Sequence, residues 1–435
     1  MKKFITTVKN IFAIDDLRIR ILNTLGFIAI FRLGSYVVLP GVDPNALTAN
    51  TPGLLGLLDT FLGGAFSNAS IFALGIMPYI SASIVLQLLT IAVPYFQKMQ
   101  KEGESGRKKI NQITRVLTIV ITLAQAVGFV ATLNAEAILI NTTLFTIMSM
   151  IILSAGTIFC MWLGERITDK GIGNGISMLI MIGIVSRFPG AIIAEFLSNQ
   201  AFVFLIELAV LFFVVMSVVM LTQAIRRIPV QYAKQIGGSS LYSGQRQFIP
   251  LKVNAAGVMP IIFAQSLMFL PSMVASIWAD TNETANYIGS TFSNFQSWQY
   301  NLVFGLMILI FTYFYTAISV NPNQIADDLK RSGGFIPGVK PGRSTSEYID
   351  SILTRITLPG AIYLALVAIF PAIAMIFGVT REFAQFFGGT SLIIMVGVVL
   401  DTLQQIESYL LMRHYDGMMK SGKLRGRTEN IAMAS

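Results

Sequence analysis

The sequence is poor in the residues that build metal, redox and acid–base sites. Its 435 residues include one cysteine, Cys160, and one histidine, His414. An intrachain disulfide is excluded, and so is a Cys/His metal cluster. A histidine base has a single candidate, placed beyond the last apolar run. Charge is also scarce, at 12% of residues, where soluble domains average about 25%. The apolar set makes up 54% of the chain and the mean hydropathy is +0.69. That leaves too little polar surface to face water, so the solvent for most of the chain is lipid. The start lacks a signal peptide, because Asp15, Asp16, Arg18 and Arg20 interrupt it before any apolar run and no small-x-small cleavage site follows. Phe4, Ile5, Val8, Ile11 and Phe12 recur at helical spacing, which predicts an amphipathic surface helix over 1–17. A frayed polar leader is the plainer alternative.

What the chain has is long hydrophobic runs. Crossing about 30 Å of hydrocarbon takes about 20 residues. Ten runs qualify: 18–39, 71–95, 116–134, 143–163, 175–196, 201–224, 255–277, 301–320, 357–379 and 388–411. All are expected to be helices, since backbone groups in lipid must pair within their own segment. If ten spans alternate, all but three of the 31 Lys and Arg fall on one side; the exceptions are Arg32, Arg187 and Arg381. The positive-inside rule makes that side cytoplasmic, with both termini inside and a basic tail from 412 to 435. Two loops on it, 225–253 and 321–356, are far longer than the usual 2–8-residue helix connection. Their basic residues fit an acidic partner such as ribosomal RNA phosphate, although topology alone also accounts for the charge.

Ten spans divide into two five-helix halves, 18–196 and 197–411. Five is odd, so the second half enters the membrane inverted, an arrangement that builds central pathways in other membrane proteins. The stretch 54–95 is apolar for too long to be one crossing, and Gly63, Gly64, Ser67 and Asn68 break it. Its first piece, from Leu54 to Phe66, is too short to span and carries Asp59. It reads as a re-entrant segment sheltered by protein, or else as an external loop. Ile76 with Ile80, and Ile176 with Ile180, sit at i and i+4 on single helix faces. Apolar constrictions can gate a pore, but the spacing alone says little, since isoleucine on a membrane helix usually faces lipid or core. Ionisable groups inside spans are Arg32, Arg187, Glu207 and Asp401. Asp401 lies farthest from its span ends and is the best argument for a secondary transporter of a small solute. Gly171-Ile172-Gly173-Asn174-Gly175 lacks the flanking strands of a dinucleotide loop and reads as a tight turn between spans. Ser391 has no accompanying base, which disfavours an intramembrane protease.

Several stretches, in order along the chain, carry a resemblance. They are Ser70–Ile84 (SIFALGIMPYISASI), Lys101–Arg107 (KEGESGR), Met161–Glu165 (MWLGE), Gly171–Ser177 (GIGNGIS), Pro250–Asn254 (PLKVN) with Gly257 and Pro260, Asn321-Pro322 with Ala326-Asp327, and Gly388–Leu392 (GGTSL). In these the chain resembles the bacterial SecY family of protein-translocation channels. The resemblance implies an all-α polytopic fold, no catalytic site and no cofactor or metal. It implies an hourglass pore with an apolar ring at Ile76, Ile80, Ile176, Ile180, Ile262 and Ile394, Ile261 being adjacent to Ile262. It implies a plug over about 54–67, with Leu54, Leu57, Leu58, Asp59, Phe61, Leu62, Gly63 and Gly64. It also implies a lateral gate between the second and third spans and the seventh and eighth, where Gln87 and Gln125 are polar groups at membrane depth. Docking of ribosomes and of a SecA motor would use Arg226, Arg227, Lys234 and Arg246 in the first long loop. In the second loop Lys340 replaces a family arginine, with Arg343 as its deputy. Lysine keeps the charge but loses the planar bidentate fork. Implied partners are SecE-like and SecG-like small subunits, signal sequences, unfolded substrate chains and lipid. Without a transit peptide, the expected location is a bacterial inner membrane.

Overall fold

The structure is a computed structural model that describes residues 12, 14–43, 59, 62–133, 137–198, 201–232, 247–265, 267–268, 283–294 and 296–420. Of the expected features, most of the surface helix, Leu54, Leu57, Leu58, Phe61, Lys234, Arg246, the later part of the seventh span and the end of the tail lie outside the described residues.

Helices dominate: α1 (Asp15–Gly34), α2 (Met77–Ala92), α3 (Pro94–Lys101), α4 (Glu104–Thr132), α5 (Thr142–Lys170), α6 (Gly175–Ser198) and α7 (Ala201–Gln223). Next along the chain come β1 (Ile225–Tyr232), β2 (Gln247–Lys252), α8 (Glu283–Ser293), α9 (Trp298–Ser319), α10 (Pro322–Arg331), β3 (Gly334–Phe335), α11 (Arg343–Ile376), α12 (Arg381–Ala384) and α13 (Gly389–Lys420). Seven helical stretches among the described residues are long and apolar enough to cross a membrane, or eight if the bent pair α2–α3 counts as one. The seven coincide with the expected spans at 116–134, 143–163, 175–196, 201–224, 301–320, 357–379 and 388–411. The second expected span, 71–95, covers α2 and ends at a bend of 101° around Val93, where Pro94 opens α3. A proline removes an N–H and pushes its predecessor out of the helical region; Val93 is extended, with φ −113° and ψ 119°. The first expected span is α1, whose ends carry Asp15, Asp16, Arg18, Arg20 and Arg32.

The chain forms two compact units. One comprises the described residues of Met1–Thr51, Leu58–Ser186 and Val398–Ser435; the other comprises those of Arg187–Gly397.

In the first unit, α1 packs on α5, and α4 packs on both α2 and α5. The described residues between α1 and α2 are irregular but well paired. Ile71 N–H donates to Val37 O at 2.9 Å, and Leu39 N–H donates to Ala69 O at 2.9 Å. Phe72 is stacked between Phe31 and Phe159, and Phe159 stacks in turn on Trp162. Glycine makes the close approach possible. A Cβ on Gly156 of α5 would lie 2.1 Å from the Ile71 carbonyl oxygen, and one on Gly34 would lie 2.0 Å from the Phe72 ring.

In the second unit, α9 packs along α11. The helix α7 buries a single stripe, Glu207, Leu211 and Val218, as expected of a span that faces lipid on most of its circumference. The two long loops fold together. Strand β1 lies between β2, from its own loop, and β3, from the other, giving the order β2-β1-β3, all antiparallel. Ile228 and Val230 alternate inward along β1 and join Leu251, Leu329, Ile336, Ile349 and Leu353 in one buried cluster. Asn321 caps α10, its side chain accepting from Asn323 N–H (3.1 Å) and Gln324 N–H (3.3 Å), with Pro322 in the first turn. This accounts for the Asn-Pro pair as a helix start.

Candidate functional site: the sealed segment, the isoleucines and the basic tips

The segment ahead of α2 is built around two charged side chains that lipid would reject. Asp59 is 3% exposed. Its carboxylate accepts from the backbone N–H of Phe66 (3.1 Å) and of Ser67 (3.0 Å). Charge-assisted bonds of this kind offset the burial of a carboxylate. Arg32, on α1, donates from Nη1 to the Gly63 carbonyl (3.1 Å) and from Nη2 to Tyr36 Oη (3.3 Å), with its guanidinium over the Tyr36 ring. Gly63 has φ +62°, and a Cβ there would lie 2.5 Å from Arg32 Nη1, 2.7 Å from Ser186 Oγ and 3.0 Å from Gly183 Cα. A left-handed, tightly enclosed position of this sort needs glycine. Leu62 is buried beside Gly75, and Phe66 meets Phe129 edge-on at 4.8 Å. The described part of this segment is thus enclosed by protein, as irregular backbone at membrane depth must be.

The isoleucines sit at helix starts. Ile76 is the N-cap of α2 and Ile80 lies one turn on; both are buried. Ile176 and Ile180 occupy the first two turns of α6, Ile176 partly open and Ile180 buried. In the second unit, Ile262 is helical and partly open while Ile261 beside it is fully packed, and Ile394 is buried on α13. Gln87 on α2 donates to Ser83 Oγ at 3.4 Å, a contact within its own helix. Gln125 on α4 is partly buried.

The basic residues of the folded loops point outward. Arg226 and Arg227 are exposed on β1, and Lys340 is exposed in the turn between β3 and α11. Gly338 (φ +84°) and Gly342 (φ +102°) shape that turn, and Thr345 Oγ1 closes it by donating to the Lys340 carbonyl at 2.9 Å. Arg343 is paired with Glu347 one turn along α11, at 3.1 Å and largely exposed.

Two features escaped the sequence reading. Glu165, in the Met161–Glu165 stretch, pairs with Arg115 at 2.7 Å and joins α5 to α4. Glu195, fully buried near the end of α6, accepts from the Thr380 N–H at 3.0 Å and from the Thr380 hydroxyl, tying α6 to the chain before α12. Next to Thr380, the Arg381 guanidinium is half-buried; burial lowers its pKa and the neighbouring Glu382 pushes it back up. Asp401 is exposed. A cavity of about 50 Å³ is lined by Gln265, Tyr300, Asn301, Gln385, Thr390 and Ser391 among others. That is room for a few waters, well short of the roughly 300–1,000 Å³ of a small-molecule site. Among the described residues no group of three His, Cys, Asp or Glu side chains could hold a metal.

Long apolar helices, a protein-enclosed segment ahead of α2 and a small domain folded from two loops make this a polytopic helical membrane protein in class. The comparisons with known proteins give the family. The SecY family matches residues 70–403. The chain is 44% identical to the protein translocase subunit SecY of Streptomyces scabiei over 96% of this chain and 100% of that one. It is 41% identical to the SecY of Thermotoga maritima, over 96% and 99%. Its fold matches a solved "protein conducting channel" with TM-score 0.64, over 90% of this chain and 92% of the other at 17% identity. It also matches Sec61 in a canine ribosome–channel complex, with TM-score 0.60 and the same identity and coverage. The chain belongs to the SecY family: it is a protein-conducting channel subunit of the translocon, and not an enzyme.

Proposed function

We propose that this channel passes unfolded secretory chains outward through a waist of six isoleucines, Ile76, Ile80, Ile176, Ile180, Ile262 and Ile394, and releases apolar segments sideways into lipid. A ring of alkyl groups offers a moving chain no partner to bind and excludes ions and water when closed. The segment from about 54 to 67 acts as the plug. The observation that supports this is the enclosure of Gly63 by α1 and α6, with Arg32 on the Gly63 carbonyl and Asp59 bonded to the backbone of Phe66 and Ser67. Side release passes between the second and third spans and the seventh and eighth, with Gln87 and Gln125, polar groups on the second and third spans, helping to set the closing energy.

The motor and the ribosome dock on the folded loop domain, through Arg226, Arg227 and Lys340, joined by Lys234 and Arg246; Arg343 contributes once released from Glu347. A solved relative, Sec61, is described in a ribosome–channel complex, and the exposed basic residues fit the same chemistry. Small SecE-like and SecG-like subunits complete the assembly. The location is the bacterial cytoplasmic membrane, with both termini inside. Reconstitution tests the reading. Vesicles holding this chain with its small partners should protect a radiolabelled secretory precursor from protease only when motor and ATP are present. Ion-coupled uptake of a small solute with no precursor protection would favour the transporter instead.

A further inference from the structure

The turn Gly171–Gly175, between α5 and α6, is held far more tightly than a connection needs. From α1, Arg20 Nη1 donates to the carbonyls of Asp169 (3.4 Å) and Gly171 (3.3 Å), and Asn23 Nδ2 donates to that of Lys170 (3.2 Å). Thr24 Oγ1 donates to the Arg20 carbonyl and accepts from the Ile172 N–H at 3.0 Å. From α13, Gln405 Oε1 accepts from the Gly173 N–H at 2.8 Å, and Tyr409 lies under the Arg20 guanidinium. Thr168 Oγ1 takes the Gly175 N–H at 2.9 Å, and Asn174 Oδ1 takes those of Ile176 and Ser177. The glycines have no room for a side chain: a Cβ would lie 1.9 Å from the Gly164 carbonyl oxygen at Gly175 and 2.4 Å from Thr24 Oγ1 at Gly171, while Gly173 has φ +83°.

A surface turn between two helices is ordinarily among the looser parts of a protein. Here the Gly171 carbonyl and the Ile172 and Gly173 N–H groups are paired to side chains of two other helices. The reason lies in the first two turns of α6. Ile176 is the second residue of that helix and Ile180 lies one turn on. A helix advances about 1.5 Å and turns about 100° per residue, so a slip of one residue at the turn would swing both side chains off their face.

We infer that Thr24 and Gln405 are positioning residues for the channel: they clamp the Gly171–Gly175 turn between α1 and α13 and so set the height and rotation at which Ile176 and Ile180 project. The inference rests on the proposed isoleucine waist, and its failure can be told apart from failure of the waist. The test uses the complete translocon with a photoreactive residue at position 180 and a stalled secretory chain, together with resting ion conductance in planar bilayers. In the otherwise unaltered channel, position 180 should crosslink the stalled chain; no crosslink there ends the waist reading and this inference with it. Given that crosslink, Thr24→Val combined with Gln405→Leu should raise resting conductance several-fold and cut the crosslink yield several-fold. Thr24→Ser and Gln405→Glu, which keep the accepting oxygens, should restore both. The single variants should give intermediate values should the double variant fail to assemble. Unchanged conductance and crosslinking in the single and double variants overturn the inference. So does equal leakage from the conservative pair, since the lost hydrogen bonds would then not be the cause.

Discussion

The segment around Asp59 and 62–76 and the domain built from the two long loops are held by opposite means. The loop domain has an interior of its own: seven buried apolar side chains drawn from β1, β2, α10, the turn after β3 and α11. Each is worth about 1.5–3 kcal/mol when fully buried. The segment around Asp59 and 62–76 also buries apolar groups, but its register is fixed by directional bonds to backbone, Arg32 on Gly63 and Asp59 on Phe66 and Ser67, and by glycines that admit close contact. Apolar burial is broad and tolerant of small shifts, which suits the proposed docking platform. A few polar bonds break together when their geometry is lost, which suits the proposed plug. The contrast between platform and latch yields predictions of decreasing size.

The sharpest way to break the contrast is through the shared core. Ile349→Ala should cost about 2–5 kcal/mol of local stability. Hydrogen exchange should then accelerate in β1 and around Lys340 together. Acceleration at one site alone would mean that the loops are independent. The latch should respond differently. Arg32→Gln loses a charged hydrogen bond worth about 1.5–3 kcal/mol; resting ion leak should rise while exchange in the loop domain stays unchanged. Asp59→Asn weakens the bonds from Phe66 and Ser67, and a rise in leak smaller than that of Arg32→Gln is expected, read by the same conductance measurement. Smallest of all, Arg343→Ala removes a surface pair worth about 0.3–0.5 kcal/mol and should leave stability unmoved, whereas Lys340→Ala should weaken motor-driven export. Asp401→Asn should leave export intact; loss of a solute flux would instead revive the transporter reading.

Much of the scaffold was legible because lipid forces helices and about 20 apolar residues mark each crossing. The fifth and sixth spans, expected at 175–196 and 201–224, are Gly175–Ser198 and Ala201–Gln223. The break after Ala92 was less legible, since the apolar run continues through Val93 and the proline alone marks the bend. The loop sheet left little trace: β3 is two residues long and pairs with a strand about a hundred residues earlier, so no local alternation announces it. The candidate site divides the same way. Isoleucine pairs on one helix face could be read from spacing. The partners of Asp59, Glu195, Thr24 and Gln405 could not, because hydrogen bonds such as those separated by 148 and 232 positions have no periodic signature. The GIGNG stretch was readable as a tight turn but not as a clamped one.

The most direct test of the account is crosslinking from the waist itself. Photoreactive residues would be placed singly at Ile76, Ile180, Ile262 and Ile394, with a secretory chain stalled during export. The account predicts that all four positions capture the same short stretch of that chain, since four distant parts of the sequence would surround one polypeptide. Capture from none of them, with outward-facing control positions on α7 behaving normally, would contradict it.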